Sequence, residues 1–289
     1  MELHQWVCIL VLGFLPPAVM AASNPANNNL AINADKAAAK KGPLVFSAPP
    51  RETEHVGDEK YGPIAAYLTK VLHRKVVYEY PGTWGVYRTQ MLAGDYDIVF
   101  DGPHFNSYRA QFLHHHILVT IPHKHEFAVI VRPGETQFHD LADLAGHTFC
   151  THAPPNLGTL ALLSHFPNPE RQPAIVNTRG WKHIYEGVMS GLCEAGVLPI
   201  ANLKAYDKTG KAARIIFRDK VMPNQAFSAG PRVTPTEQHE IAQALISPAA
   251  EKPTAMLRST YRVGSHFVLA NNAEFKGMDR YLKGQWGYY

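Results

Sequence analysis

Four sequence motifs that mark common enzyme classes are missing from this 289-residue chain. There is no G-x-S-x-G nucleophile elbow, no G-x-x-x-x-G-K-S/T phosphate loop, no G-x-G-x-x-G dinucleotide fingerprint and no H-E-x-x-H zinc motif. Carboxylates are sparse where strands are predicted to end, and no two of them have a spacing that implies acid–base catalysis. We therefore predict a binding protein without a cofactor, and not an enzyme.

Blocks of like charge and long apolar runs are also scarce. The formal net charge is +4 and the Lys and Arg residues are scattered, so no nucleic-acid partner is expected. The apolar run at 7–15 is followed by small residues, among them Ala21 and Ala22. This order is typical of a secretory signal peptide over residues 1–22, and the run is too short for a comfortable membrane anchor. An exported protein is expected.

Only three cysteines are present, and Cys8 lies inside the apolar run. The exported chain therefore keeps Cys150 and Cys193. An oxidising compartment favours a disulfide between them, but two buried free thiols fit the sequence equally well. Residues 23–42 are rich in Asn, Ala and Lys without apolar periodicity, which predicts a flexible leader.

Strand-like and helix-like segments alternate from Pro43 onward. Three apolar runs, PLVFSA, VVYEY and DIVF, are each followed by an amphipathic stretch, which predicts a parallel sheet with right-handed crossovers. A second series begins after Arg132-Pro133-Gly134, with HTFCTH, AIVNT and EAGVLP as its strands. The end of the chain is predicted to be helical and to cover the first series.

Two α/β lobes explain this pattern better than one continuous doubly wound sheet. We place lobe I at residues 43–131 and 225–289, and lobe II at residues 132–224. Closure of the lobes is expected about linkers near 131–134 and 224–230.

Ligands of open parallel sheets bind beyond the carboxyl ends of the strands, near helix N-termini. In the first lobe this rule selects Arg51, Tyr80, Trp84, Asp101, His104 and Phe105. In the second lobe it selects Asn156, Thr159, Trp181 and Asn202. Arg51 follows the first strand directly, where it is well placed for an anion. The two tryptophans could sandwich a ligand or pack in the core, and Asp101, Asn156 and Thr159 could simply cap helices.

Several segments resemble one family when their order and spacing are taken together. They are FSAPPRE after the first strand, Gly94 to Pro103 with its DIVFDGP core, LADLAGHT at 141–148 and Met222-Pro223-Asn224. From about Pro43 to the C-terminus the chain resembles periplasmic substrate-binding proteins of phosphate, phosphite and phosphonate ABC transporters. The resemblance implies a two-lobed type II periplasmic binding fold. It also implies a monomer that closes over a small molecule and delivers it to an inner-membrane ABC permease.

One loop departs from the family pattern. Family members that bind phosphonate usually carry a Ser/Thr-rich loop at the first helix of the second lobe. Here residues 153–159 read APPNLGT, so most hydroxyls are missing and two prolines remove N–H donors. The departure shifts the expectation towards a larger, less charged or apolar ligand.

Three hypotheses for the ligand follow. The first is an oxyanion or phosphonate held by Arg51 and the helix starts. The second is an apolar, lipid-like ligand such as a sterol. The third is a sensory or metal-binding module that uses His114–His116, His123 and His125, although adjacent histidines on a strand point to alternating sides.

Overall fold

The computed structural model describes residues 42–264, 266–285 and 287–288. The predicted signal peptide at 1–22, and the predicted leader up to residue 41, lie outside these residues. None of the described helices is long and apolar enough to cross a membrane.

Short strands alternate with helices over the described chain. The strands are β1 (Leu44–Ser47), β2 (Val76–Glu79), β3 (Ile98–Asp101), β4 (His116–Thr120), β5 (Phe127–Val131), β6 (Thr148–Thr151), β7 (Ala174–Asn177), β8 (Ala195–Pro199), β9 (Arg214–Arg218), β10 (Ala226–Ala229) and β11 (Val268–Leu269). The α-helices are α1 (Glu54–Leu72), α2 (Trp84–Ala93), α3 (Pro103–Phe112), α4 (Leu157–Leu163), α5 (Trp181–Ser190), α6 (Ile200–Tyr206), α7 (Pro235–Ile246), α8 (Ala255–Thr260) and α9 (Asn272–Phe275). Single 3₁₀ turns lie at Ala142–Leu144, Pro169–Arg171, Pro248–Ala250 and Met278–Leu282.

The first sheet has the strand order β2-β1-β3-β10-β4-β11. β1 pairs in parallel with both β2 and β3, so the carboxyl ends of these three strands meet at one edge. β10 runs antiparallel between β3 and β4 and is buried along its whole length. The predicted series of three strands and three helices is confirmed. The predicted linker at 224–230 is wrong, because most of that segment is this central strand.

The second sheet has the strand order β7-β6-β8-β5-β9. β6 is parallel to β7 and β8, whereas β5 is antiparallel to both β8 and β9. The predicted boundary at residue 131 assigns β5 to lobe I. Its backbone pairing assigns it to the second sheet instead, because both of its neighbours lie there.

Two short segments connect the sheets, residues 121–126 and 219–225. They pair with each other, since the N–H of His125 donates to the carbonyl of Met222 and the N–H of Met222 donates back, both at 2.8 Å. The N–H of Ile121 also donates to the carbonyl of Gln225 at 3.0 Å. The chain therefore crosses between the lobes as a paired double strand, and not at the predicted linkers.

The helix starts and stops follow local chemistry. The Thr83 side chain accepts a hydrogen bond from the N–H of Val86 at the start of α2, and Gly94 ends that helix with φ 77°, a conformation that glycine adopts at little cost. Pro103 occupies the first turn of α3, as expected of a helix starter. α1 begins at Glu54, seven residues before the predicted helical stretch at Tyr61.

Each sheet packs part of its apolar core separately, and a further buried cluster contains residues of both sheets, among them Val99 of β3 and Val129 of β5. In the first sheet, Ile64 and Leu68 of α1 and Ile241 of α7 pack with Leu44 and Phe46 of β1. In the second, Cys150 of β6 and Cys193 pack with α5 and form a disulfide with Cα atoms 5.6 Å apart. The structure thereby settles the question that the sequence left open, in favour of pairing.

Candidate ligand-binding site

A cavity of about 1150 Å³ lies at the strand ends of both sheets and beside the two crossing segments. The first lobe contributes residues that follow β1, β2 and β3. The second lobe contributes residues that follow β6, β7 and β8. This is the place that the rule for parallel sheets predicts for a ligand.

A buried ion triad supports the first-lobe side of the cavity. One carboxylate oxygen of Asp101 accepts from Arg51 Nη2 at 2.9 Å, and the other accepts from Arg109 Nη1 at 2.9 Å. Asp101 is 0 % exposed and the Arg109 side chain is 1 % exposed, whereas the Arg51 side chain is 25 % exposed. Two cations thus share one carboxylate, and the triad carries a net charge of +1.

Tyrosine hydroxyls complete this triad. Tyr87 donates its O–H to Asp101 and accepts from Arg109, and Arg51 Nη1 donates to the Tyr261 hydroxyl at 3.2 Å. Burial raises the pKa of Tyr87, so its hydroxyl stays protonated and able to donate. The Arg51 guanidinium is therefore held in one orientation at the wall of the cavity.

Neutral histidines line the same cavity. Burial lowers the pKa of His104 to about 4 despite the opposing effect of Asp101. Burial and the charge of Arg51 lower the pKa values of His125 and His152 to about 4. All three imidazoles are therefore uncharged near neutral pH, and arginine and lysine supply the positive charge of the cavity.

Aromatic side chains form two walls, one from each lobe. Trp84 is stacked on Phe105, with ring centroids 6.1 Å apart and an interplanar angle of 20°. Trp181 meets His152 edge-to-face at 4.4 Å and Phe127 at 6.2 Å. Both tryptophans are half-buried and line the cavity, each supported from behind by other rings.

His104 and Arg262 of the first lobe both make contacts across the cleft. His104 Nε2 of the first lobe lies 3.1 Å from the carbonyl oxygen of Pro155 in the second. The guanidinium of Arg262 lies over the ring of Tyr206, 5.7 Å from its centroid.

Most of the sequence-predicted site residues are brought together. Those that line the cavity are Arg51, Tyr80, Trp84, His104, Phe105, Asn156, Trp181 and Asn202. Asp101 lies beneath Arg51 and does not face the cavity. Thr159 is fully buried, where it donates to the carbonyl of His152 and bonds the Thr151 hydroxyl at 2.8 Å, so it holds α4 against β6.

Some of the predicted residues are already hydrogen-bonded within the protein. The Asn156 side chain accepts from the N–H of Gly158 at 2.9 Å and caps its own helix. Tyr80 donates to the carbonyl of Glu52 at 2.8 Å, and Asn202 donates to the Tyr206 hydroxyl at 3.2 Å. These bonds position the side chains at the cavity wall.

The 153–159 loop offers few donors, and several of them are used within the second lobe. The N–H of Ala153 donates to the Asn177 side chain at 3.1 Å, and the N–H of Asn156 donates to the carbonyl of Ala153 at 3.2 Å. Pro154 and Pro155 have no N–H to offer. The loop therefore closes the cavity with apolar surface, and does not form a cradle of donors.

Sequence reasoning missed several residues of the site. Arg109 lies eight residues after Asp101, and only the return of α3 over the strand end brings the two together. Tyr261 and Gln225 come from the far end of the chain. The rim also carries cations that the sequence did not single out: Lys124, Arg179, Lys204 and Arg262.

The carboxylates that line the cavity are paired with other cations. Glu52 accepts from Lys60 at 2.9 Å, and Glu126 lies 3.4 Å from Arg218. Among the described residues, Arg51 and the four rim cations share the cavity lining with these two neutralised carboxylates alone, which gives this part of the cavity a positive potential.

The histidine-rich segment does not form a metal centre within residues 42–264, 266–285 and 287–288. No group of three or more His, Cys, Asp or Glu residues there has the arrangement to hold a metal ion. His115 is buried with its Nδ1 3.3 Å from the Ser228 hydroxyl, and His116 Nδ1 lies 2.7 Å from the Gln238 side chain. The observed geometry therefore gives no support to the metal-binding hypothesis.

The family model of the periplasmic substrate-binding protein of phosphonate ABC transporters matches residues 46–275. The chain belongs to this family. Its two-lobed α/β fold is the type II periplasmic binding fold that the sequence predicts. No curated protein is significantly similar to the chain in sequence.

Solved structures show the same fold at low sequence identity. XAC2383 from Xanthomonas citri bound to ATP has a TM-score of 0.67 and 12% identity, covering 84% of this chain and 98% of that one. PhnD1 from Prochlorococcus marinus in complex with methylphosphonate has a TM-score of 0.62 and 15% identity, covering 84% and 97%. A binding protein component of an ABC phosphonate transporter from Pseudomonas aeruginosa has a TM-score of 0.58 and 11% identity, covering 82% and 84%.

Proposed function

We propose that this binding protein takes an anionic phosphorus compound into the interlobe cavity and delivers it to an inner-membrane ABC permease. The signal peptide at 1–22 would export the chain to the periplasm. There it would act as a monomeric carrier without catalytic chemistry. The two paired crossing segments at 121–126 and 219–225 would let the lobes open and close about the ligand.

The triad of Arg51, Asp101 and Arg109 carries this proposal. Its net charge of +1 is buried on one side and reaches the cavity only through Arg51. An anion that binds there gains a charge-assisted hydrogen bond in a partly water-excluded site, where such bonds are strong. The rim cations add long-range attraction for an anionic ligand.

The size of the cavity favours an organic phosphate or phosphonate over a bare oxyanion. Drug-sized ligands occupy pockets of roughly 300–1,000 Å³, and the observed cavity of about 1150 Å³ lies above that range. Similar folds bind ligands of very different size, methylphosphonate in one case and ATP in another. The aromatic walls of Trp84 and Trp181 would contact the organic part of the ligand.

An apolar lipid is the weaker candidate. Although Trp84, Trp181 and the proline loop offer apolar surface, a lipid would also cover the Arg51 guanidinium and bring no anion to it. Covering a triad whose net charge is +1 without adding a counter-ion is costly.

Calorimetric titration of the purified protein tests the proposal, with inorganic phosphate, methylphosphonate and ATP as ligands and sodium chloride varied from low to high. We expect at least one phosphorus compound to bind, with an affinity that falls as salt rises. Native mass spectrometry of the protein isolated from its own periplasm provides a second readout. A co-purified sterol, together with no binding of any phosphorus compound, would contradict the proposal.

A further inference from the structure

Two buried side-chain atoms at the cavity have no hydrogen-bond partner in the described part of the chain. They are His104 Nδ1 and Gln225 Oε1. His104 is 2 % exposed and Gln225 is 8 % exposed, and both residues line the cavity. Buried polar atoms are rarely left unpaired in folded proteins, so each one points to a group that is supplied from outside.

Both atoms lie over Gly102, the corner between β3 and α3. A methyl group placed on Gly102 would lie 3.0 Å from His104 Nδ1 and 3.5 Å from Gln225 Oε1. It would also approach the His104 ring carbon to 2.9 Å, so this corner requires glycine. The two unpaired atoms therefore face one small region beside the ion triad.

Both atoms have the same hydrogen-bonding role. His104 Nε2 faces the carbonyl oxygen of Pro155, which can only accept, so the proton of the neutral ring resides on Nε2. Nδ1 is then an acceptor, and the amide oxygen of Gln225 is an acceptor as well. The group that satisfies them must donate hydrogen bonds.

The charge of the surroundings decides which donor fits. Asp101, Arg51 and Arg109 all lie close to His104: after burial, which lowers its pKa most, Asp101 raises the pKa and the two arginines lower it. An ammonium group would add a third cation to a triad that already carries a net positive charge, which is unfavourable. Neutral hydroxyl groups donate without that penalty, and because each hydroxyl has one proton to donate, a ligand that pairs with both acceptors in this way needs two of them.

We propose that the Gly102 corner is a polyol subsite, in which His104 Nδ1 and Gln225 Oε1 accept from two hydroxyl groups of the ligand. This inference rests on the proposed function, because Arg51 would hold the phosphate or phosphonate of the same molecule. It narrows the ligand to a hydroxylated organophosphate, such as a sugar phosphate or a polyol phosphate.

Calorimetry with a matched pair of ligands tests the subsite. Glycerol 3-phosphate carries a phosphate and a diol, and propyl phosphate carries the phosphate alone. We expect the wild-type protein to bind glycerol 3-phosphate about 10- to 100-fold more tightly, the effect of pairing buried acceptors. In Gln225→Met and His104→Phe that preference, the ratio of the two affinities, should shrink about 10-fold.

A control variant and a second readout separate the subsite from general damage. Gln90→Met replaces an amide outside the cavity lining and should leave the preference intact. In ¹⁵N spectra, the His104 Nδ1 signal should shift on addition of glycerol 3-phosphate and stay unchanged with propyl phosphate.

The outcomes distinguish a failure of the polyol subsite from a failure of the proposed function. Equal binding of the two ligands would overturn the polyol subsite and leave the anion site standing. Tighter binding of 2-aminoethylphosphonate than of glycerol 3-phosphate would overturn it as well, because the donor would then be an ammonium group. Failure of every phosphorus compound to bind would remove both proposals.

Discussion

The two lobes share a fold plan but bring different chemistry to the cavity. The first lobe contributes an ion triad in which Arg51 and Arg109 share the buried carboxylate of Asp101. Its net charge of +1 faces the cavity through Arg51. The second contributes a loop with two prolines, a half-buried Trp181 and backbone donors of which two are bonded to Asn156 and Asn177 of the same lobe. We therefore expect the first lobe to make the main contact with the charge of the ligand, and the second lobe to add shape, closure and the long-range attraction of Arg179 and Lys204.

The largest expected effect comes from breaking the first-lobe triad. Asp101→Asn keeps the shape but leaves Arg51 and Arg109 without a counter-ion, one of them fully buried. We expect the free energy of unfolding to fall by about 3–5 kcal/mol, the cost of an uncompensated buried charge. Urea unfolding followed by circular dichroism measures this change.

Asp58→Asn, on the exposed face of α1, is the matched control and should change stability by less than about 0.5 kcal/mol. Equal stability of the Asp101→Asn protein and the wild type would show that the triad does not hold the first lobe together.

The stability of the second lobe should depend on its disulfide. Replacing Cys150 and Cys193 together by serine removes a covalent link across 43 residues of chain. We expect a loss of about 2–4 kcal/mol, mainly because the unfolded chain gains freedom. Thermal unfolding with and without reductant measures the loss. Reductant should lower the Tm of the wild type and leave the Tm of the double variant unchanged. A wild type that does not respond to reductant would contradict the pairing.

Acid should destabilise the first lobe through its neutral buried histidines. Burial lowers the pKa of His104 to about 4 and that of His115 to about 3, both below the ordinary value of 6.5. The unfolded chain therefore binds protons that the folded chain does not, so stability is lost as the pH falls from 6.5 towards 4. Each of these histidines contributes up to about 1.4 kcal/mol per pH unit in that window.

Urea unfolding at pH 7, 6 and 5 measures the slope. His115 lies outside the cavity lining. His115→Gln should therefore reduce the slope of the unfolding free energy against pH without changing ligand binding. An unchanged slope in that variant would show that His115 is not kept neutral in the folded state.

A smaller effect is expected at the second-lobe loop. Asn156→Ala removes the side chain that accepts from the N–H of Gly158 at the start of α4. The loss of such a cap costs about 1 kcal/mol of stability. Since the Asn156 side chain is occupied by its own helix, ligand affinity should change less than threefold. A large loss of affinity would assign direct ligand contact to the second lobe.

The sequence predicted the parts of the fold that depend on local pattern. β1, β2 and β3 and the helices after them follow apolar periodicity, Gly94 and Pro103, and all of them form, although α1 begins seven residues earlier than predicted. β10 was missed because Ala-Phe-Ser-Ala is short and has no alternation of its own. β5 was assigned to the wrong sheet because a strand pattern does not specify its partner.

The same limit applies to the site. Arg51, Trp84 and His104 were predicted because each follows a strand end, which fixes its place in this class of sheet. Arg109 and Gln225 were missed because their positions depend on tertiary packing, through the return of α3 and the crossing segment before β10. The position of Asp101 depends on packing as well, since its carboxylate is bonded to two arginines and does not line the cavity.

A comparison of Arg51→Ala with Arg179→Ala tests most directly the claim that the first lobe recognises charge. Both arginines line the cavity, one from each lobe. Calorimetric titration with the phosphorus compound that the wild type binds best should show a loss of about 10- to 100-fold for Arg51→Ala, the effect of removing a hydrogen bond from a charged group. Arg179→Ala should lose less than fivefold. Unchanged affinity in Arg51→Ala, or a larger loss in Arg179→Ala, would contradict the account.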